Sequence, residues 1–216
     1  MKNQHASSAF RRLTFAALFA VLLTAGCDKG EQAVVLPTDY SELLKLAHQG
    51  NSAAQFNVGI MLLVGNGVAK NEREAVTWLA KAAQQGDIDA QFNLGVLYAK
   101  GIGVPQKSAD AMAWLTQAAK GGHVQAQTNL GILYYKGTAV KRNYDEAYRW
   151  FKSAAELGDP KAQAYLGDCL YVGRGTPVDR ETAIEWYRKA AAAGDALAKD
   201  RLSTLNTAPV QGSGPK

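Results

Sequence analysis

Few side chains in this 216-residue chain are of a type and spacing that could do chemistry. The cysteines are Cys27, directly after the small pair Ala25-Gly26, and Cys169. Beyond residue 26 the histidines are His48 and His123, far apart, with no metal-ligand spacing and no histidine pair on one helix face. No glycine-rich phosphate loop follows a strand, because no segment reads convincingly as a strand. The chain is therefore expected not to be an enzyme and to need neither cofactor nor metal. What is left suits binding. The amides of Asn57, Asn93 and Asn129 can each donate and accept, Asp168 offers a carboxylate, and Lys100 and Lys136 offer ammonium groups.

These residues are positioned by a repeat of 36 residues, visible in Trp78, Trp114, Trp150 and Trp186. Three glycine columns keep the same register: Gly59, Gly95, Gly131, Gly167; Gly65, Gly101, Gly137, Gly173; and Gly86, Gly122, Gly158, Gly194. A fixed period of roughly 20–50 residues marks a solenoid whose units bury their apolar faces only against neighbours. Within the first unit, Ala54, Val58, Met61 and Leu62 form a helical stripe that predicts a helix A. It stops near Gly65-Asn66-Gly67, where glycines can take positive φ. A helix B starts at Asn71 or Glu72, with Asn71 and Glu74, like Asn143 and Glu146, at capping-box spacing. The second unit has Lys107 and Ser108 there, and the fourth has Asp179 with Thr182. Helix B carries Ala75, Trp78, Leu79, Ala82 and Ala83 on one face and ends at Gly86. Gly59 and its equivalents fall mid-helix, where each costs about 1 kcal/mol relative to Ala. The expected compensation is close approach of helix B's alanine face, with the tryptophans as core residues between hairpins. Cys169 shares the column of Met61, Leu97 and Leu133, and is read as a small buried hydrophobe.

The run Ala90-Gln91-Phe92-Asn93-Leu94-Gly95-Val96-Leu97-Tyr98, with Gly101-Ile102-Gly103-Val104, Ala111, Trp114, Ala118-Ala119 and Gly122, resembles the Sel-1-like repeat, a relative of the tetratricopeptide repeat. Leu62 and Leu170 depart from the tyrosine at Tyr98 and Tyr134, and Ala139 replaces the second loop glycine. The resemblance implies an all-α fold: an α-solenoid of antiparallel helix hairpins wound as a right-handed superhelix. Four repeats would span 51–195 (51–87, 88–123, 124–159 and 160–195), between a capping half-repeat at 38–50 and a capping helix at 196–206. Residues 207–216, with Pro, Gly and Ser, read as a disordered tail.

Helix A also carries a second stripe: Phe56, Ile60 and Leu63; Phe92, Val96 and Ala99; Thr128, Ile132 and Tyr135; Ala164, Asp168 and Tyr171. It grows more polar along the chain. An unpaired buried carboxylate is very costly, so Asp168 argues that this column is open rather than packed. In tetratricopeptide relatives helix A lines the concave surface that grips peptides, and the resemblance makes this stripe a partner-binding groove. The competing reading packs it between repeats, with Asp168 exposed near the end of the array. The ladder Asn57, Asn93 and Asn129, broken by Tyr165, would hold a peptide backbone by analogy, or would repeat a structural hydrogen bond. Lys100 and Lys136 could meet an anionic ligand, or simply favour the C-terminal end of the helix dipole.

The chain has 24 Lys and Arg against 19 Asp and Glu. Lys2, Arg11 and Arg12 lie in the first 26 residues, which hold no acid, so the remainder carries a formal charge of only about +2. No concentrated basic stripe remains to neutralise phosphates, and nucleic acid is excluded as a partner. Residues 1–26 combine the basic lead with an apolar run from Leu13 to Ala25, too short for the ~20 residues of a spanning helix but suited to an export signal. Leu23-Thr24-Ala25-Gly26-Cys27 resembles the lipobox of bacterial lipoproteins, with Thr24 where the family usually has Leu. That implies acylation of Cys27, an anchor of two or three acyl chains, and a tether over 27–37. Once Cys27 is acylated, Cys169 has no disulfide partner. Asp28 resembles the signal that retains lipoproteins in the inner membrane of enteric bacteria. The expected protein is a monomeric periplasmic lipoprotein that binds a protein or peptide partner in the cell envelope. Related lipoproteins are assembly factors in polysaccharide export or regulators of membrane signalling proteins. Some secreted members have been described as β-lactamases, but those carry a cysteine pair in nearly every repeat, and this chain does not.

Overall fold

The computed structural model describes residues 36–207, which form ten α-helices and no strand. They are α1 (Tyr40–His48), α2 (Ser52–Val64), α3 (Glu72–Gln84), α4 (Ile88–Lys100), α5 (Ser108–Lys120), α6 (Val124–Lys136), α7 (Tyr144–Glu156), α8 (Pro160–Val172), α9 (Arg180–Ala192) and α10 (Ala196–Thr207). Each helix packs chiefly on the one before and the one after it, as a solenoid requires. The even-numbered helices from α2 to α8 are the A helices, and α3, α5, α7 and α9 are their B partners. Among the A helices and α10, α6 also touches α8 and α8 touches α10.

Local chemistry fixes the ends of each unit. The A helices begin on Asn51, Asp87, His123 and Asp159, whose side chains accept the N–H three residues on, and Asp195 does the same for α10. They end on Gly65, Gly101, Gly137 and Gly173, all left-handed with φ between 69° and 78°. At the start of α3, Asn71 accepts the Glu74 N–H at 3.2 Å and its own amide donates to the Glu74 carboxylate at 3.0 Å. Asn143 and Asp179 cap α7 and α9, but Lys107 leaves α5 without a side-chain cap. The B helices end two residues before their glycine column, α3 at Gln84 with Gln85 as its cap; Gly86 is left-handed, with φ of 93°.

A column of glutamines joins each unit to the next. Gln55, Gln91, Gln127 and Gln163 are buried and donate through Nε2 to the carbonyls of Ala47, Ala83, Ala119 and Ala155 at 3.0–3.2 Å. Those carbonyls lie in the last turn of the preceding helix, where each also accepts the N–H of the glycine three residues on at 3.0–3.1 Å, so the glutamine fills the second lone pair. The A helix of one unit is thereby fastened to the B helix of the unit before.

The mid-helix glycines do mark close approach of the alanine-bearing face of helix B, and the nearest atoms belong to its large side chain, with the Ala75 carbonyl next at Gly59. A Cβ at Gly59 or Gly95 would stand 2.7–2.8 Å from Leu79 or Leu115 Cγ, and at Gly131 or Gly167 2.5 Å from the ring of Phe151 or Tyr187. Each glycine makes room for the large side chain that follows the tryptophan. Those four residues are buried, whereas of the tryptophans only Trp78 is; Trp114, Trp150 and Trp186 are half-buried. The tryptophan column is thus a partly open seam, and its successor is the core.

Candidate functional site

The second stripe of the A helices lies at an intermediate depth. Phe56, Ile60, Phe92, Val96, Ile132, Tyr135 and Tyr171 are all half-buried. Their inner sides pack on cores that include the following repeat: Phe56 and Ile60 on the cluster with Leu79 and Leu94, Phe92 on that with Leu115 and Leu130, Ile132 on that with Phe151 and Leu166. Their outer sides stay accessible. Thr128 is buried outright, with its hydroxyl donating to the Val124 carbonyl at 3.2 Å.

Asp168 corrects the sequence-based expectation. It is neither open nor exposed at the end of the array but buried, 6% exposed, in the column that holds Ile60, Val96 and Ile132 elsewhere. The penalty for a buried carboxylate is avoided because it is fully partnered. Arg201 of α10 donates to it from Nε at 2.8 Å and Nη2 at 3.2 Å, and the Tyr187 hydroxyl donates at 2.8 Å. Burial, with the carboxylate beside it, pushes the Tyr187 phenol well above its usual range, and the hydrogen bond to Asp168 raises Arg201. Sequence reasoning missed this set because Arg201 stands 33 residues from Asp168, in a helix outside the repeat. The paired departures, Asp for Val or Ile and Tyr for Leu or Phe in one unit, were the available signal.

Beside this set lies a cavity of about 320 Å³, lined by Tyr135, Tyr171, Arg174, Arg201 and Leu205 with Asp168 and Tyr187 in its wall. Three residues of the predicted stripe, Tyr135, Asp168 and Tyr171, thus converge on one concavity. Arg174, from the loop after α8, lies over the rings of Tyr135 and Tyr144 at 5.2 and 5.3 Å and donates to the Tyr135 hydroxyl. Burial raises the Tyr135 phenol.

The asparagine ladder divides. Asn93 donates to the Asp89 carbonyl at 2.8 Å, a bond within its own helix, whereas among the described residues Asn57 and Asn129 make no hydrogen bond through their amides. Tyr165, in the same column, stacks on Phe151 at 4.9 Å. Lys100 and Lys136 are exposed. His123 stacks on Phe92 at 4.2 Å while capping α6, and His48 lies edge-on to Trp78. Cys169 is fully buried, and burial pushes its thiol up to about 12. Among the described residues no group of three or more His, Cys, Asp or Glu could hold a metal ion, and no helix is long and apolar enough to cross a membrane. Cys27, the segment read as an export signal, most of the expected tether and almost all of the expected tail lie outside the described residues.

Comparison with known proteins follows the repeat. The family model described as Sel1 repeat matches residues 52–87, 88–123, 124–159 and 160–195. No curated protein matches the chain. Among solved structures, the chain is similar to c5321, described as a protective antigen present in uropathogenic Escherichia coli strains displaying an SLR fold. Identity there is 37% and the TM-score 0.75, covering 78% of this chain and 36% of that one. It is also similar to a Sel1 repeat protein from Oxalobacter formigenes, with 36% identity and a TM-score of 0.70, covering 77% of this chain and 68% of the other. The chain therefore spans about a third of the length of c5321. Repeats of this kind commonly mediate protein–protein interaction and are typically scaffolds rather than catalysts.

Proposed function

The chain belongs to the Sel1 repeat family, and on that premise we propose that it is a non-catalytic interaction scaffold of the bacterial cell envelope. In this reading the acylated Cys27 holds the solenoid on the periplasmic side of the inner membrane, and the A-helix stripe receives a segment of a protein partner. The observation that carries it is the set of half-buried aromatic and branched side chains along the stripe, from Phe56 to Tyr171, ending at the cavity beside Asp168. Half-exposed aromatic and branched side chains on a rigid scaffold are what an extended partner can bury without the scaffold reorganising. The test is the double variant Ile132→Ser/Tyr135→Ser in the full chain. Loss of partner retention with helicity preserved supports the stripe, and undiminished retention overturns it. Release of the Cys27→Ala variant into the soluble periplasmic fraction checks the anchor; continued membrane association contradicts it.

A further inference from the structure

The cavity beside Asp168 holds more positive charge than its own carboxylate can neutralise. Both Asp168 oxygens are occupied by Arg201, and one of them also by Tyr187. Arg174 makes no salt bridge among the described residues, although Asp168 acts on it through space, and it is half-buried and held in place by Tyr135 and Tyr144. An ordered guanidinium with no carboxylate in contact, the nearby Asp168 being bonded to Arg201, is prepared to receive one by charge-assisted hydrogen bonds. Apart from Thr204, the rest of the lining is apolar: the ring of Tyr171, Val172 and Leu205. At about 320 Å³ the cavity is at the small end of ligand pockets, which run roughly 300–1,000 Å³, a size for one terminal residue rather than a folded surface.

We propose that this cavity binds the C-terminal residue of an extended peptide, its α-carboxylate on Arg174 and its apolar side chain against Tyr171, Val172 and Leu205. The inference rests on the reading of the A-helix stripe as the partner face, because Tyr135, Asp168 and Tyr171 belong to both. It adds direction and chemistry: the partner's chain ends here, and it ends on an apolar residue. The apolar side of the cavity, Tyr171, Val172 and Leu205, sets the selectivity, since an acidic terminal side chain would lose its hydration there without gaining a partner. Arg201, committed to Asp168, is a positioning residue and not the receptor of the ligand.

The experiment is an NMR titration of the full chain with N-acetyl-Ala-Ala-Leu as the free acid and as the carboxamide. The free acid is expected to shift the signals of Arg174, Tyr171 and Leu205, with the carboxamide weaker by about tenfold or more, as loss of a charge-assisted pair implies. Arg174→Gln should reduce the free acid to the level of the carboxamide, while Lys141→Gln, exposed in the loop between α6 and α7 and not lining the cavity, should not. Equal binding of acid and carboxamide, no binding of either at millimolar concentration, or an unchanged affinity in Arg174→Gln overturns the assignment. The acid and carboxamide comparison needs no variant, so it stands even if Arg174→Gln is poorly folded. None of these outcomes bears on whether Ile132 and Tyr135 are needed to retain a partner, so the pocket can fail while the stripe survives.

Discussion

Arg201 of α10 closes on Asp168 of α8 through two nitrogens, Nε at 2.8 Å and Nη2 at 3.2 Å, and this pair terminates the array. Removing one partner leaves a buried charge uncompensated. Arg201→Met is predicted to destabilise the fold by about 1–3 kcal/mol, less than the roughly 3–5 kcal/mol of a fully buried pair, because the Arg201 side chain is 43% exposed. Urea unfolding followed by circular dichroism measures it. The double variant Asp168→Ile/Arg201→Met restores the column's apolar residue and should recover most of the loss.

The glutamine column predicts a second cost. Gln91→Leu removes the side-chain donor to the Ala83 carbonyl, which keeps only the Gly86 N–H at 3.1 Å. A loss of about 0.5–1.5 kcal/mol is expected, the net worth of one hydrogen bond. Hydrogen exchange should place the loosening at the α3–α4 junction rather than at the ends of the array.

At Gly131 two effects oppose each other. Alanine improves helix propensity by about 1 kcal/mol, but its Cβ would stand 2.5 Å from the Phe151 ring. Overpacking of this kind costs about 1–3 kcal/mol, and Phe151 is fully buried with no route outward. Gly131→Ala should therefore lower the melting temperature, whereas propensity alone would raise it.

His123 gives the fold a pH dependence. Its Nδ1 accepts the Ala126 N–H at 3.2 Å, which requires the neutral ring, and burial holds its pKa below the ordinary value despite Asp89 nearby. The folded state then binds fewer protons than the unfolded state, so this stability is present above the unfolded pKa near 6.5 and is lost as the pH falls through the folded value. Wild type should lose up to about 1 kcal/mol, the usual worth of an N-cap, between pH 7.5 and pH 5. The His123→Asn variant should lose less over that range, as urea midpoints at the two pH values will show.

The hairpins were legible because glycine, alanine and aromatic columns recur at one spacing, and each mark has a local cause: left-handed φ at Gly65, a cap at Asn71, a close approach at Gly59. Lys107 read as a missing cap, and it is one. What escaped depends on pairs distant in sequence. The depth of the tryptophans and the role of the residues after them are set by packing between helices, which periodicity does not rank. Asp168 looked solvent-exposed because a single column cannot reveal Arg201 or Tyr187 as partners. The glutamines were in plain register, but a polar residue at the start of a helix reads as surface until the carbonyl it reaches is seen.

The most direct test of the account is in-cell photo-crosslinking from Ile132 and Tyr135 on the A-helix stripe, with the exposed Lys152 of α7 as control. The expected result is a discrete protein captured from both stripe positions and not from Lys152. No capture from the stripe, or equal capture from Lys152, would contradict it.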